Sequence, residues 1–263
     1  MTPSRPGPRH DHDAGGSAHL LRAKADLREE VWQALTKAGA ARFPGADGRI
    51  PNFTGAEGAA ERLRHTEVWH GAQTLKANPD APQWPVRQRA LEDGKLVFMA
   101  VPRLAGPEPF FLLDPAHLAG SARAASSIKG ATKSARPVGL DELSPVDLVV
   151  AGCVAVGADG ARLGKGGGFS DLEFALASEA GLIGPDTAVV TTVHELQVRP
   201  PGVIPVSEHD VYVDFVITPE RVIACHPPRA RRRGHPGLRW DELTDEKIAA
   251  IPLLARWRAR RDV

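Results

Sequence analysis

The sequence predicts an α/β protein, a three-layer α/β/α arrangement in which a mostly parallel sheet carries helices on both faces. Three observations lead there. "VDLVVAGCVAV" (146–156) is a continuous valine-rich run, the composition of a strand covered on both faces of a parallel sheet. Apolar runs of strand length alternate with segments of helical period along most of the chain, the pattern of an α/β fold. A glycine-rich loop, "DGARLGKGGGFSDLEF" (159–174), follows the buried run and leads into a helix, and ligands of open α/β sheets collect at the carboxyl ends of strands.

Leu20, Leu27, Val31, Trp32 and Leu35 recur at helical spacing and define an opening amphipathic helix, with Lys24 and Arg28 one turn apart on a common face. Residues 43–55 form a Gly/Pro-punctuated loop, and Ala56 to Arg64 read as a short helix. "AQTLKA" (72–77) is a candidate strand. The loop "NPDAPQWP" (78–85), a helix over roughly Val86 to Asp93 and the strand "KLVFMAV" (95–101), ended by Pro102, come next. Within 106–140 only "PFFLLD" (109–114) is placed, as a strand. After the glycine loop, Ser170 and Glu173 have the spacing of a capping box, and Gly181 fits the residue just past that helix. "TAVVTTV" (187–193) and "VYVDFVI" (211–217) complete the strands, and residues 243–261 form a helix interrupted near Pro252.

The first 19 residues, rich in Pro, Gly and His, are expected to be a disordered tail, and "HDH" at His10 to His12 reads as part of that tail rather than as a metal site. Residues 20–226 form the α/β domain, and 227–263 an arginine-rich C-terminal extension with a helix. Lys+Arg number 33 against Asp+Glu 32, a net charge of +1, so no overall field draws nucleic acid or an anionic membrane. Arg229 and Arg231 to Arg233 lack interleaved aromatic residues and read as a solvated basic segment. Cys153 and Cys225 lie beside apolar runs and are expected to be reduced core thiols. No 18-residue apolar run and no secretory h-region are present, so the expected compartment is the cytoplasm and no membrane partner is implied. The expected partner is a small molecule, and the chain is expected to be a monomer or a homodimer.

The glycine loop matches neither familiar phosphate fingerprint. Gly160 precedes Gly164 and Lys165 by only three intervening residues and Gly166 follows, so it is not a Walker A loop; Gly164, Gly166 and Gly168 are spaced by two, so it is not a dinucleotide loop. The physical elements of anion binding are nevertheless together: glycines that let main-chain N–H groups approach a ligand, cations in Arg162 and Lys165, and a helix start near Ser170.

"RLGKGGGFSD" (162–171) resembles the R-L-G-[RK]-G-x-G-[YF]-x-D loop of the 5-formyltetrahydrofolate cyclo-ligase family. "VSEHDVYVDFVIT" (206–218) is similar to that family's P-x-E-x-H-D-x-x-x-D-x-V-I-T segment. Lys24 and Arg28 match its K-x-x-x-R helix and "GKLVFMAVP" (94–102) its G-K-x-x-x-x-P strand, so the resemblance covers about residues 22–226. It implies a three-layer fold of the CoA-transferase-like kind. It also implies a reaction in which ATP and Mg²⁺ drive closure of 5-formyltetrahydrofolate to 5,10-methenyltetrahydrofolate, the formyl oxygen taking the γ-phosphoryl group before N10 displaces phosphate. Such chemistry leaves the protein mainly alignment and charge neutralisation.

By the same resemblance, Lys24 and Arg28 reach the ATP phosphates, and Arg162 and Lys165 flank them as catalytic cations. Gly164, Gly166, Gly167 and Gly168 supply main-chain donors, Phe169 stacks on adenine or pterin, and Asp171 holds Mg²⁺ directly or through water. Asp80 and Gln83 stand where the folate enzymes carry a substrate-side E-x-x-T, and His209 and Asp210 orient the loop or lie near phosphate. Where folate enzymes commonly read G-K-G-Y-Y-D, this chain has Gly167, Phe169 and Ser170, which is closer to a paralogous branch with a GKGxGFxDxE loop that has been linked to thiamin metabolism. Two other readings therefore stand beside the folate one: the same nucleotide chemistry on another acceptor, or a binding protein with a vestigial nucleotide site and an RNA-contacting arginine tail.

Overall fold

The computed structural model describes residues 12–101, 104, 106, 108–207, 210–226, 237–238, 240 and 243–261. The opening helix, α1 (His12–Lys37), starts inside the stretch read as a tail, so residues 12–19 are helical. Ala, Leu, Arg, Lys and Glu, all strong helix formers, dominate it from Ala18 on. His10, Asp11 and the rest of residues 1–11 lie outside the described residues.

Two short helices, α2 (Ala56–Arg64) and α3 (Glu67–Gly71), lead into β1 (Thr74–Ala77). Helix α4 (Trp84–Glu92) begins two residues before the expected start, with Pro85 in its first turn, where a missing N–H costs no helical bond. It feeds β2 (Leu96–Ala100), which turns back as β3 (Phe110–Leu113). The sparse stretch that follows holds α5 (Ala122–Ala125), α6 (Ile128–Ser134) and β4 (Arg136–Val138).

The valine-rich run read as one strand is two strands in two sheets, β5 (Leu148–Val150) and β6 (Ala155–Gly157). Gly152 marks the break: its N–H donates to Asn78 Oδ1 rather than to a strand neighbour. Then come β7 (Arg162–Leu163), α7 (Phe169–Glu179), β8 (Ala188–Thr192), β9 (Val198–Arg199), β10 (Phe215–Ile217) and β11 (Val222–Ala224). Only the last three residues of the 211–217 run are strand; Val211 and Val213 are buried in the segment before it. The capping box is not formed either. The cap of α7 is Gly168 in the left-handed region, without a side-chain hydrogen bond, and Glu173 points into the core instead. Gly181 closes α7 with φ +73° as expected. The C-terminal helix is broken at Pro252 into α8 (Asp245–Ala250) and α9 (Pro252–Arg261).

The eight-stranded sheet runs β11-β10-β8-β5-β1-β2-β3-β4. From β10 to β2 all neighbours are parallel, and antiparallel pairs occur only toward the edges. Successive residues enter opposite cores, as the strand period requires: Leu148 and Val150 join Leu63, Leu75 and Val86, while Val149 joins Phe98, Leu172 and Leu176. Helices α2 and α4 thus cover one face, and α7 covers the other together with Ile248, Leu253 and Leu254 of the C-terminal helices. A third cluster seats Leu27, Val31 and Leu35 of α1 against the small sheet β7-β6-β9. Both cysteines are free and buried; burial pushes Cys153 up to about 11 and Cys225 to about 12.

Candidate functional site

The chain leaves β1 toward β2 on one side of the sheet and later returns as β5 on the other. The carboxyl ends of β1 and β5 are therefore a topological switch point, where α/β sheets open a crevice. Asn78, Asp80 and Gly152 follow these two strands directly, and the glycine loop crosses above them.

Beneath the crevice lies a buried polar cluster. Lys76 on β1 donates to Glu173 Oε2 at 3.0 Å, and Asn78 Nδ2 donates to the same oxygen at 2.9 Å. Burial holds the Glu173 carboxyl above its ordinary range, with the Lys76 charge opposing it. One side chain thereby ties the start of α7 to the end of β1. Arg87, 1 % exposed, donates to the carbonyls of Asn78, Pro79, Asp80 and Ser126 and so clamps the segment after β1. Its guanidinium, lowered by burial to about 10 with the Asp80 charge opposing, meets no carboxylate directly.

Arg162, buried under the loop, donates through Nη1 to Gly152 O at 3.0 Å and through Nη2 to Asp171 Oδ1. Burial works against its charge, but Asp171 and Asp210 outweigh it and hold the guanidinium above its usual value. Its Nε is buried and has no partner among the described residues. The expected catalytic arginine and the expected metal-holding aspartate are thus paired with each other. Lys165 reaches across the crevice to Asp80 Oδ1 at 3.2 Å and stays 46 % exposed. Gln83 is fully buried, yet neither atom of its amide has a partner among the described residues. A β-carbon at Gly152 would meet Ile50, Gln83 Oε1 and Asp80 Oδ2 at 3.1, 3.2 and 3.3 Å, so these side chains close directly on bare backbone.

From α1, Arg28 Nε donates to Gly164 O at 2.7 Å, and among the described residues its two terminal nitrogens have no partner. Burial lowers its basicity, with Asp210 opposing. Lys24 is neutralised by Asp210 at 2.5 Å, and Asp210 also accepts from Ser207 N. The main-chain N–H groups of Gly164 to Gly168 donate no hydrogen bond among the described residues, and Lys165 to Gly168 are exposed. Gly166 (φ +102°) and Gly168 (φ +66°) use backbone that side chains rarely adopt. Donors in a row, ending at the positive end of an 11-residue helix, have the chemistry that suits an anion.

The structure therefore gathers Arg28, Asp80, Gln83, Arg162, Gly164 to Gly168 and Asp171 at one place, with Phe169 partly buried beside them. His209 lies outside the described residues. Among the described residues no three acid, His or Cys side chains are grouped to ligate a metal. Sequence reading missed Lys76, Asn78, Arg87 and Gly152. A lysine inside an apolar strand and a glutamate inside "FALA"-flanked helix were the available signals, since unpaired charges are not buried.

Fold and site define a doubly covered α/β protein with an exposed glycine loop at its switch point, its main-chain N–H groups without partners among the described residues. The model of the 5-formyltetrahydrofolate cyclo-ligase family matches residues 21–219, and the chain belongs to that family. It is 38% identical over 242 residues to a Mus musculus methenyltetrahydrofolate synthase domain-containing protein, covering 90% of this chain and 64% of that one. The Homo sapiens protein of the same name is 36% identical over 242 residues, with 90% and 62% covered. The chain thus spans somewhat less than two thirds of the length of these relatives. Among solved structures, the NMR structure of Aquifex aeolicus 5,10-methenyltetrahydrofolate synthetase shares the fold, with a TM-score of 0.50 at 19% identity over 78% of this chain and 94% of that one. Family membership supports an enzyme of the ligase kind.

Proposed function

We propose that the protein is an ATP- and Mg²⁺-dependent 5-formyltetrahydrofolate cyclo-ligase, forming 5,10-methenyltetrahydrofolate. The observation that carries this is the row of N–H groups from Gly164 to Gly168 that have no partners among the described residues, walled by Arg28 and Lys165 at the switch point. The residues fit a nucleoside triphosphate: the loop is bare backbone, and the Arg28 guanidinium, in no ion pair among the described residues, stands beside Gly166. Mg²⁺ is ordinarily held by one or two carboxylates together with phosphate oxygens, and Asp171 Oδ2, not engaged by Arg162, is the available protein ligand.

Mg·ATP, when bound, supplies the phosphoryl group that makes the formyl oxygen a leaving group. Each remaining task falls to this chain. The N–H row and the α7 N-terminus hold the polyphosphate without reorganisation. Arg162 is a positioning residue, fixing Gly152 and Asp171, and Lys24 fixes Asp210. Lys165, exposed and held among the described residues only by Asp80, would neutralise charge on the transferred group. Gln83, whose buried amide has no partner among the described residues, would meet the amide edge of an acceptor such as a pterin on a movement that uncovers it. A second reading, the same nucleotide chemistry on another acceptor, is favoured by the engagement of Asp80 Oδ1 with Lys165, which occupies one of the two side chains expected to face the folate.

Purified protein with Mg·ATP and 5-formyltetrahydrofolate is expected to generate the methenyltetrahydrofolate absorbance. Saturating ATP binding with no absorbance change at high enzyme concentration would assign the acceptor elsewhere.

A further inference from the structure

Helix α8 belongs to the C-terminal extension, beyond the 21–219 family match. It is nevertheless fixed to the domain. Thr244 caps it by accepting from Lys247 N at 3.2 Å, and Ile248 and Ile251 are buried in the same core as α7. That seating sends Lys247 over the glycine loop. Its Nζ lies 5.7 Å from the Phe169 ring centroid, and a β-carbon at Gly168 would stand 3.1 Å from it. Lys247 is partly buried and forms no ion pair among the described residues; of the two acids before it on α8, Asp245 pairs with Arg258 and Glu246 is exposed.

A cation held at the positive end of α7 is destabilising by itself. Here it stands at Gly168 on the same loop that Arg28 meets at Gly166 and that carries Lys165, and the N–H groups of that loop have no partners among the described residues. Convergence of like charge on unpaired donors is stable in one common circumstance, when an anion occupies the middle. We infer that Lys247 binds a phosphate group of the polyphosphate at the glycine loop, so that the C-terminal extension completes the nucleotide site. This rests on the nucleotide reading of the loop.

The test is calorimetric titration of the full chain with Mg·ATP, inorganic tripolyphosphate and adenosine, for wild type, Lys247→Ala, Lys247→Glu and Lys247→Arg. Lys247→Ala is expected to weaken Mg·ATP and tripolyphosphate about tenfold, as loss of one charge-assisted bond does. Lys247→Glu weakens both further, Lys247→Arg restores them, and adenosine is unaffected. Equal binding of Mg·ATP by wild type, Lys247→Ala and Lys247→Glu would overturn the inference and leave the nucleotide site standing. Weakening of adenosine equal to that of Mg·ATP would overturn it too, since Lys247 would then act through the Phe169 face. Absence of Mg·ATP binding in wild type would instead overturn the nucleotide reading itself. The unfolding midpoint of each variant, close to wild type, separates these outcomes from misfolding.

Discussion

Replacing Glu173 with alanine is expected to lower the unfolding free energy by about 3–5 kcal/mol, because it leaves a buried ammonium without its counter-charge. Lys76 is 2 % exposed and donates to no other side chain among the described residues, so it cannot turn to water without opening the sheet. Asn78 loses its acceptor in the same step, and with it the geometry that holds Gly152 N. Urea unfolding at neutral pH reads the loss. The double variant Lys76→Met with Glu173→Leu is expected to recover most of it, since an apolar pair of similar volume replaces an ion pair at little net cost. The double variant should remain folded yet lose ligand affinity, because Asn78 would no longer be held. A single-variant loss of less than about 1 kcal/mol would place this pair with solvent-exposed bridges instead.

The second large effect is expected at Gly166. Valine there must adopt φ +102° and would set its β-carbon 3.4 Å from Arg28 Cζ. A β-branched residue in that region is a genuine outlier, so the loop must rearrange and its amides turn away. Turnover, expressed as kcat/KM, is expected to fall about 100-fold, the scale of losing one preorganised main-chain donor. Stability should fall by only about 1–2 kcal/mol, as the loop is exposed and packs on little. Lys165→Ala removes a single exposed cation and is expected to cost about tenfold with an unchanged unfolding midpoint. If Lys165→Ala proved the more damaging of the two, side-chain charge rather than main-chain geometry would carry the site.

Much of the scaffold could be read from the chain because a parallel sheet buries both strand faces, so β2 and β5 show as unbroken apolar runs and β1 and β8 as short apolar segments interrupted by Lys76 and by Thr191 and Thr192. The same property hid the division of 146–156: β5 and β6 are both buried, so hydropathy stays continuous where the backbone leaves one sheet for another. What ends β5 is a hydrogen bond from Gly152 to Asn78, a partner no local pattern reveals. At Glu173 local chemistry and tertiary structure compete. The S-x-x-E spacing satisfies a helix start on paper, but a buried lysine on the neighbouring strand claims the carboxylate. The glycine loop, Lys24 and Arg28 were legible because their residue types have few other uses in that spacing, and the structure does bring α1 against the loop. The pairing of Arg162 with Asp171, and the approach of Lys247 from the far end of the chain, are matters of packing that spacing does not encode.

Whether main-chain amides grip the polyphosphate is read at the amides themselves. In a titration of isotope-labelled protein with Mg·ATP, the resonances of Gly164, Lys165, Gly166, Gly167 and Gly168 are expected to move furthest and to gain protection from solvent exchange. Saturating Mg·ATP with these five resonances unmoved, and the shifts gathered elsewhere on the molecule, would contradict the assignment of the loop as the nucleotide cradle.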